Sequence, residues 1–197
     1  MDKKVITFLV PLVARYTAEQ WINRCKSLQQ SLHSLSNGSN GSNSEYSVVI
    51  AGHDRPDFSF PNEECFHFVA VDFERPDPNN LTAITARADK LKKVDAAWKY
   101  ATSHWESQYV MKFDADDFLS SRLVEWLACN RSSPGFRINL GWIWKDSWKY
   151  FLKQENHFDL SCGSSVIIAS QFADLPIRIN SAKEYAYEGI DLNLSNN

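Results

Sequence analysis

Three carboxylates fall within four consecutive positions, Asp114-Ala115-Asp116-Asp117, directly after the apolar run Gln108-Tyr109-Val110-Met111-Lys112-Phe113. Like charges so close together repel unless a cation neutralises them. Hard oxygen donors favour Mg2+ or Mn2+, and such ions leave coordination positions open for substrate phosphates. An ion bridging a diphosphate stabilises the negative charge that develops on it as a leaving group. The plainer alternative is a solvated turn capping the next helix, where carboxylates are favoured in any case. The strand before the acids, the helix after them and the unit upstream of them weigh against that alternative.

The elements that must position this loop are legible in the residue pattern. Val5 to Val10 is apolar and rich in β-branched and aromatic residues, as a strand buried on both faces requires, and it ends at Pro11. Thr17 and Gln20 form a capping box, after which Trp21, Cys25, Leu28, Leu32 and Leu35 recur at helical spacing. Ser36 to Ser44 repeats Asn-Gly-Ser and reads as a flexible surface loop. A second buried strand, Tyr46 to Ala51, stops at Gly52 and the polar turn His53 to Asp57, which completes a βαβ unit. Cys65 to Phe73 is a third apolar run.

A long helix is predicted over Thr82 to His104, with Ile84, Ala88, Leu91, Asp95, Trp98, Ala101 and Trp105 turned to the sheet. The fourth strand is Gln108 to Phe113. A helix capped by Ser120 or Ser121 carries Leu123, Val124, Trp126 and Leu127, and closes at Ser132 to Gly135. Phe136, Ile138, Leu140, Trp142 and Trp144 alternate as one half-exposed strand would, so the two tryptophans share a face. Ser164 to Ala169 reads as a further strand. Strands alternating with helices predict a three-layer α/β sandwich around a mainly parallel central sheet.

With 197 residues, one domain spanning 1–197 is expected. A formal net charge of -3 and the lack of a long basic run argue against nucleic acid as a partner. Cys25, Cys65, Cys129 and Cys162 lie far apart without a Cys-x-x-Cys pair, which fits a reducing cytoplasm. The apolar start, interrupted by Thr7 and Pro11, reads as a strand rather than a secretory signal, and no transmembrane segment is expected. Open α/β sheets bind ligands outside the carboxyl ends of their strands, which gathers Pro11 to Arg15, Gly52 to Asp57 and Asp114 to Asp117 at one edge. Arg87 and Lys90, three apart on a helix, can meet phosphate oxygens there, although solvated charge is the simpler reading; Lys92 and Lys93 point elsewhere.

On the residues Tyr109 to Phe118, supported by the opening strand and Ala51-Gly52-His53-Asp54, the chain resembles GT-A glycosyltransferases, particularly the family 2 type with its Asp-x-Asp-Asp motif. The likeness spans residues 5 to about 170. It implies a GT-A fold, a nucleoside-diphosphate sugar donor, Mn2+ or Mg2+, and hexosyltransferase-like transfer to a hydroxyl of a glycan, lipid or protein acceptor. It further implies that Pro11, Leu12, Val13 and Arg15 border the nucleotide and that Asp54 accepts a hydrogen bond from the base. Arg87 would serve phosphate, Asp114 and Asp116 the metal, and Asp114 and Asp117 the ribose and diphosphate side of the donor. Asp54 before Arg and Pro also fits a residue that organises its own turn.

The likeness thins toward the end of the chain. The Glu-Asp pair that often supplies the inverting general base does not occur, and Glu184, Glu188 and Asp191 have no motif to mark them, so no catalytic residue is assigned. The likeness implies further acceptor-binding structure after Cys162-Gly163-Ser164-Ser165, so a domain shortened at its C-terminus is one expectation. The alternatives are a retaining reaction or a degenerate, non-catalytic GT-A domain that binds a nucleotide sugar or a partner. A nucleotidyltransferase would call for a glycine-rich loop after the first strand, where Pro11-Leu12-Val13-Ala14-Arg15 has no glycine.

Overall fold

The computed structural model describes residues 2–16, 18–36, 45–145 and 150–173. The capping residue Thr17, most of the Asn-Gly-Ser segment, Trp148 and the acids Glu184, Glu188 and Asp191 lie outside them. Strand β1 (Asp2–Pro11) is followed by α1 (Ala18–Ser36), β2 (Tyr46–Gly52) and β3 (Phe66–Ala70). Helix α2 (Ala83–His104) leads into β4 (Trp105–Lys112), and α3 (Leu123–Cys129) into β5 (Gly135–Arg137). The remainder is the hairpin β6 (Gly141–Lys145) and β7 (Tyr150–Gln154), the short α4 (Phe158–Ser161), and β8 (Val166–Ala169).

The main sheet has the order β3-β2-β1-β4-β8-β5. β1 pairs parallel with both β2 and β4, in the registers Ile6 to Tyr46 and Ile6 to Tyr109, and β2 pairs parallel with β3. Only β8 runs against its neighbours, antiparallel to β4 and β5. The period of two along the central strands divides the core. Phe8, Val10, Val48, Ile50, Tyr109 and Met111 join one apolar cluster with Trp21, Leu28 and Leu32 of α1 and Val124 and Leu127 of α3. Leu9, Val49, Ala51 and Val110 face the other way, onto Val94, Ala97 and Ala101 of α2. Each large apolar side chain buried this way contributes about 1.5–3 kcal/mol, which is why both sides of the sheet must be covered.

Helix α2 starts where its sequence says it should, with a reciprocal cap between Thr82 and Thr85. Its inward face differs from the predicted one. Ile84 is 82% exposed and Ala88 is exposed, while Lys93, Val94, Ala97 and Ala101 are buried. The stripe is rotated because Lys93, which hydropathy assigns to solvent, lies inside with its ammonium paired to Asp89. Asp95 pairs instead with Lys99 on the outer side of the helix. The single strand expected over residues 136–144 is two. Ile138 still donates to Ser165 O, but at Asn139 the chain turns to accept from Phe158 N, and β6 pairs only with β7. Trp142 and Trp144 do share a face and both are exposed.

Ser120 and Ser121 precede α3, yet its N-cap is Arg122, without a side-chain cap bond. All four cysteines are free. Among the described residues no helix is long and apolar enough to cross a membrane.

Candidate functional site

Because β1, β2 and β4 are parallel, Pro11, Gly52 and Lys112 end at one edge of the sheet. The chain moves outward in one direction from β1 to β2 and β3, then returns to place β4 on the other side of β1. That reversal between β1 and β4 is the position where open α/β sheets form their ligand crevice. The acidic loop leaves β4 at this point.

Phe113 fixes how the loop leaves. It is fully buried, packs edge-on against Phe8 at 6.1 Å, and its N–H donates to Leu9 O at 2.8 Å. With Tyr109, Met111 and Phe113 facing α1, alternation turns Lys112 and Asp114 to the α2 side. The stripe Lys90, Val94, Ala97, Ala101 on α2, spaced four, three and four, brings Lys90 to the same place. Lys90 Nζ lies 2.7 Å from Asp114 Oδ1, and Lys112 Nζ lies 3.2 Å from the same oxygen. Lys112 is 6% exposed, Asp114 20% and Lys90 38%. Burial alone would raise the Asp114 carboxyl, but the ammonium groups of Lys112 and Lys90 outweigh it and hold the carboxyl below its ordinary value. Burial pulls the Lys112 ammonium down, against the attraction of Asp114.

The segment before β8 closes against this cluster. Asp114 N donates to Ser164 Oγ at 2.7 Å. At Gly163 a β-carbon would stand 2.5 Å from both Asp114 Oδ2 and Lys112 Nζ, so only hydrogen fits there. Cys162 Sγ donates to Asp117 Oδ2 at 3.3 Å. Burial pushes the Cys162 thiol up to about 12, helped by the Asp117 charge, so it is a proton donor and not a nucleophile. Asp117 is itself raised, first by burial and then by its neighbours Asp114 and Asp116, against the hydrogen bonds from Ser164 and Cys162. Asp116 is the exposed member, at 63%, with Arg24 Nη1 of α1 3.9 Å away.

The three carboxylates therefore have three separate surroundings. The repulsion that suggests a metal ion is relieved at Asp114 by the chain's own Lys90 and Lys112. Among the described residues no three His, Cys, Asp or Glu side chains group so as to hold a metal. Asp114 Oδ1 is taken up by Lys90 and Lys112, which leaves Asp116 as the exposed carboxylate of the loop.

A second charged group occupies the ends of β1 and β2. Asp54 Oδ2 accepts from the backbone N–H of Arg15 at 2.9 Å, and Arg75 Nη2 donates to Oδ1 at 3.0 Å. Asp54 thus ties the turn after β1 to Arg75. Pro11 and Leu12 are buried, with Leu12 N donating to Ala51 O, so their side chains belong to the core. Val13 and Arg15 are exposed at the edge. Behind them Lys93 Nζ, 1% exposed, lies 2.6 Å from Asp89 Oδ2. Burial lowers Lys93, and it also lowers His53, one of whose ring nitrogens lies 2.9 Å from Phe73 O. Arg87 is exposed on the first half of α2.

The residue pattern singles out the acidic loop, Asp54, Arg15 and, with solvated charge as the simpler reading, Lys90. It singles out neither Lys112 nor Arg75. The signal available for Lys112 was a lysine on a buried strand two residues before an aspartate. Arg75 had none, since its partner lies 21 positions away. Two hollows of about 570 and 420 Å3 lie elsewhere, at the amino edge of the sheet, where Ser107, Gln108 and Arg131 line both.

The sequence matches no protein-family model and no curated protein. Among solved structures, the chain is similar to S. aureus TarS 1-349, with a TM-score of 0.50 and 13% identity over 84% of this chain. The match covers 47% of that structure, so the chain spans about half its length. The same protein in complex with UDP-GlcNAc aligns at TM-score 0.45 and 15% identity, over 69% of this chain and 34% of that one. The mixed α/β architecture with its mostly parallel six-stranded sheet is therefore a GT-A-like fold.

Proposed function

We propose that this chain is a glycosyltransferase domain that moves a sugar from a nucleoside-diphosphate donor to a hydroxyl acceptor. One observation carries the reading: an acidic loop, turned outward by a buried Phe113, leaves the sheet where the strand order reverses. The nucleoside lies along the edge made by Val13, Arg15 and Asp54, and the diphosphate lies toward Asp114, Asp116 and Asp117. In the reaction the acceptor oxygen bonds to the anomeric carbon as that carbon's bond to the diphosphate oxygen breaks, and the hydroxyl proton is released to solvent. The negative charge left on the diphosphate must be met by fixed positive charge or by a bound cation.

The test is calorimetric titration of a panel of nucleoside-diphosphate sugars, UDP-GlcNAc among them, into the wild type and Asp116→Ala. Each titration is run with Mn2+, with Mg2+ and with chelator. Saturable binding of one donor, lost in the variant, supports the reading and selects the sugar for acceptor screening. If folded protein binds no donor under any of the three conditions, the active-transferase reading gives way to a non-catalytic domain of the same fold.

A further inference from the structure

Resting on the donor reading above, we infer that Lys90 and Lys112 form the subsite that takes the donor's diphosphate, with Asp114 as the carboxylate that holds the two ammonium groups together. Two ammonium groups from separate elements, Lys90 of α2 and Lys112 at the end of β4, meet on one oxygen of Asp114. The second ammonium is not needed to neutralise Asp114. A single lysine would neutralise Asp114, and each further buried ammonium adds a desolvation cost.

The two lysines are also unequal in a way that suits binding. Lys112, 6% exposed, is fixed at the end of β4 between Asp114 and the closely packed Gly163. Lys90, 38% exposed, comes from another element and reaches Asp114 from the solvent side. An ammonium has three donors, so Lys90 can keep Asp114 and still meet phosphate oxygens. The pair thereby supplies fixed positive charge where the leaving group's negative charge develops.

Inorganic pyrophosphate is the probe, because it carries the diphosphate charge without a base or a sugar. It is titrated in the presence of chelator into wild type, Lys90→Met, Lys90→Arg and, as a control on the same helix, Lys99→Met. Thermal melts confirm that each variant is folded. The expected result is saturable binding that weakens about tenfold in Lys90→Met, stays within about threefold in Lys90→Arg, and is unchanged in Lys99→Met.

Equal affinity in folded Lys90→Met and wild type would overturn the inference, because a purely structural ion pair changes melting and not affinity. So would pyrophosphate binding that requires a divalent ion. If pyrophosphate binds through Lys90 but no nucleoside-diphosphate sugar does, the anion subsite stands and the glycosyl-donor reading falls. If a donor binds with full affinity to Lys90→Met, the donor reading stands and this subsite falls.

Discussion

The two edges of the central sheet differ in what they keep from water. At the amino edge are two hollows of about 570 and 420 Å3, bordered by the starts of β1 and β4 and by the turn after α3. At the carboxyl edge charge itself is buried, with Lys93 1% exposed and Lys112 6%. An empty hollow on a protein surface costs little, whereas burying an ammonium costs several kcal/mol before its partner repays any of it. Charge held under the surface by residues from separate elements is thus the better marker of a working edge than volume.

The comparison breaks most severely if Asp114 proves dispensable. Asp114→Ala strands the Lys112 ammonium, and the free energy of unfolding should fall by about 3 kcal/mol in urea denaturation. Because the Asp114 carboxyl is held low in the folded state, its contribution is present above the ordinary carboxylate value of 3.8. It is lost only as pH falls through the lower folded value. A companion double variant, Asp114→Leu with Lys112→Met, should regain more than half of the loss.

Next in size is Gly163→Ala. Its methyl would meet Asp114 Oδ2 and Lys112 Nζ at 2.5 Å, so the carboxylate and the ammonium must be displaced. Donor affinity should fall about tenfold by calorimetry while the protein stays folded. An alanine variant with unaltered affinity would separate the Gly163 segment from the site.

Asp117→Asn sharpens the contrast from the opposite direction. Burial raises the Asp117 carboxyl, so the folded state holds that proton more tightly than the unfolded chain. Its ionised form then costs stability once pH exceeds the ordinary value. The amide should raise the Tm by about 2 °C at pH 7, and the gain should vanish as pH drops through the carboxylate range. A lower Tm at pH 7 would mean that the hydrogen bond from Cys162 outweighs the burial.

The smallest effect is expected at the amino edge. Arg131→Ala borders both hollows and should leave donor affinity within about twofold. A larger loss would move the site to the other side of the sheet.

How much could be read from the sequence depended on whether one residue's neighbours or distant partners decided its place. β1, β2 and β4 were evident because a strand buried on both faces must be almost wholly apolar. The inner stripe of α1, from Trp21 to Leu35, was evident for the same kind of reason. On α2 the reading went astray at Lys93, because a buried lysine is admissible only with a partner such as Asp89, and hydropathy does not register partners. The direction of β8 was equally out of reach, since it depends on how the β6–β7 hairpin returns the chain. At the site, the loop itself stood out as a local cluster. That Lys90 and Lys112 meet at Asp114 is a property of α2 packing on the sheet, and no local pattern encodes it.

The placement of β8 also sets an order of assembly. In the sheet β5 touches no strand but β8, and β8 comes from residues 166–169, after the hairpin has been made. The parallel core of β1 to β4 can close from the first 112 residues, whereas the outer third waits on a long-range return of the chain. Ser164, which accepts the hydrogen bond from Asp114 N, travels on that late segment. A ligand that prefers the finished edge therefore also stabilises the return of that segment to the sheet.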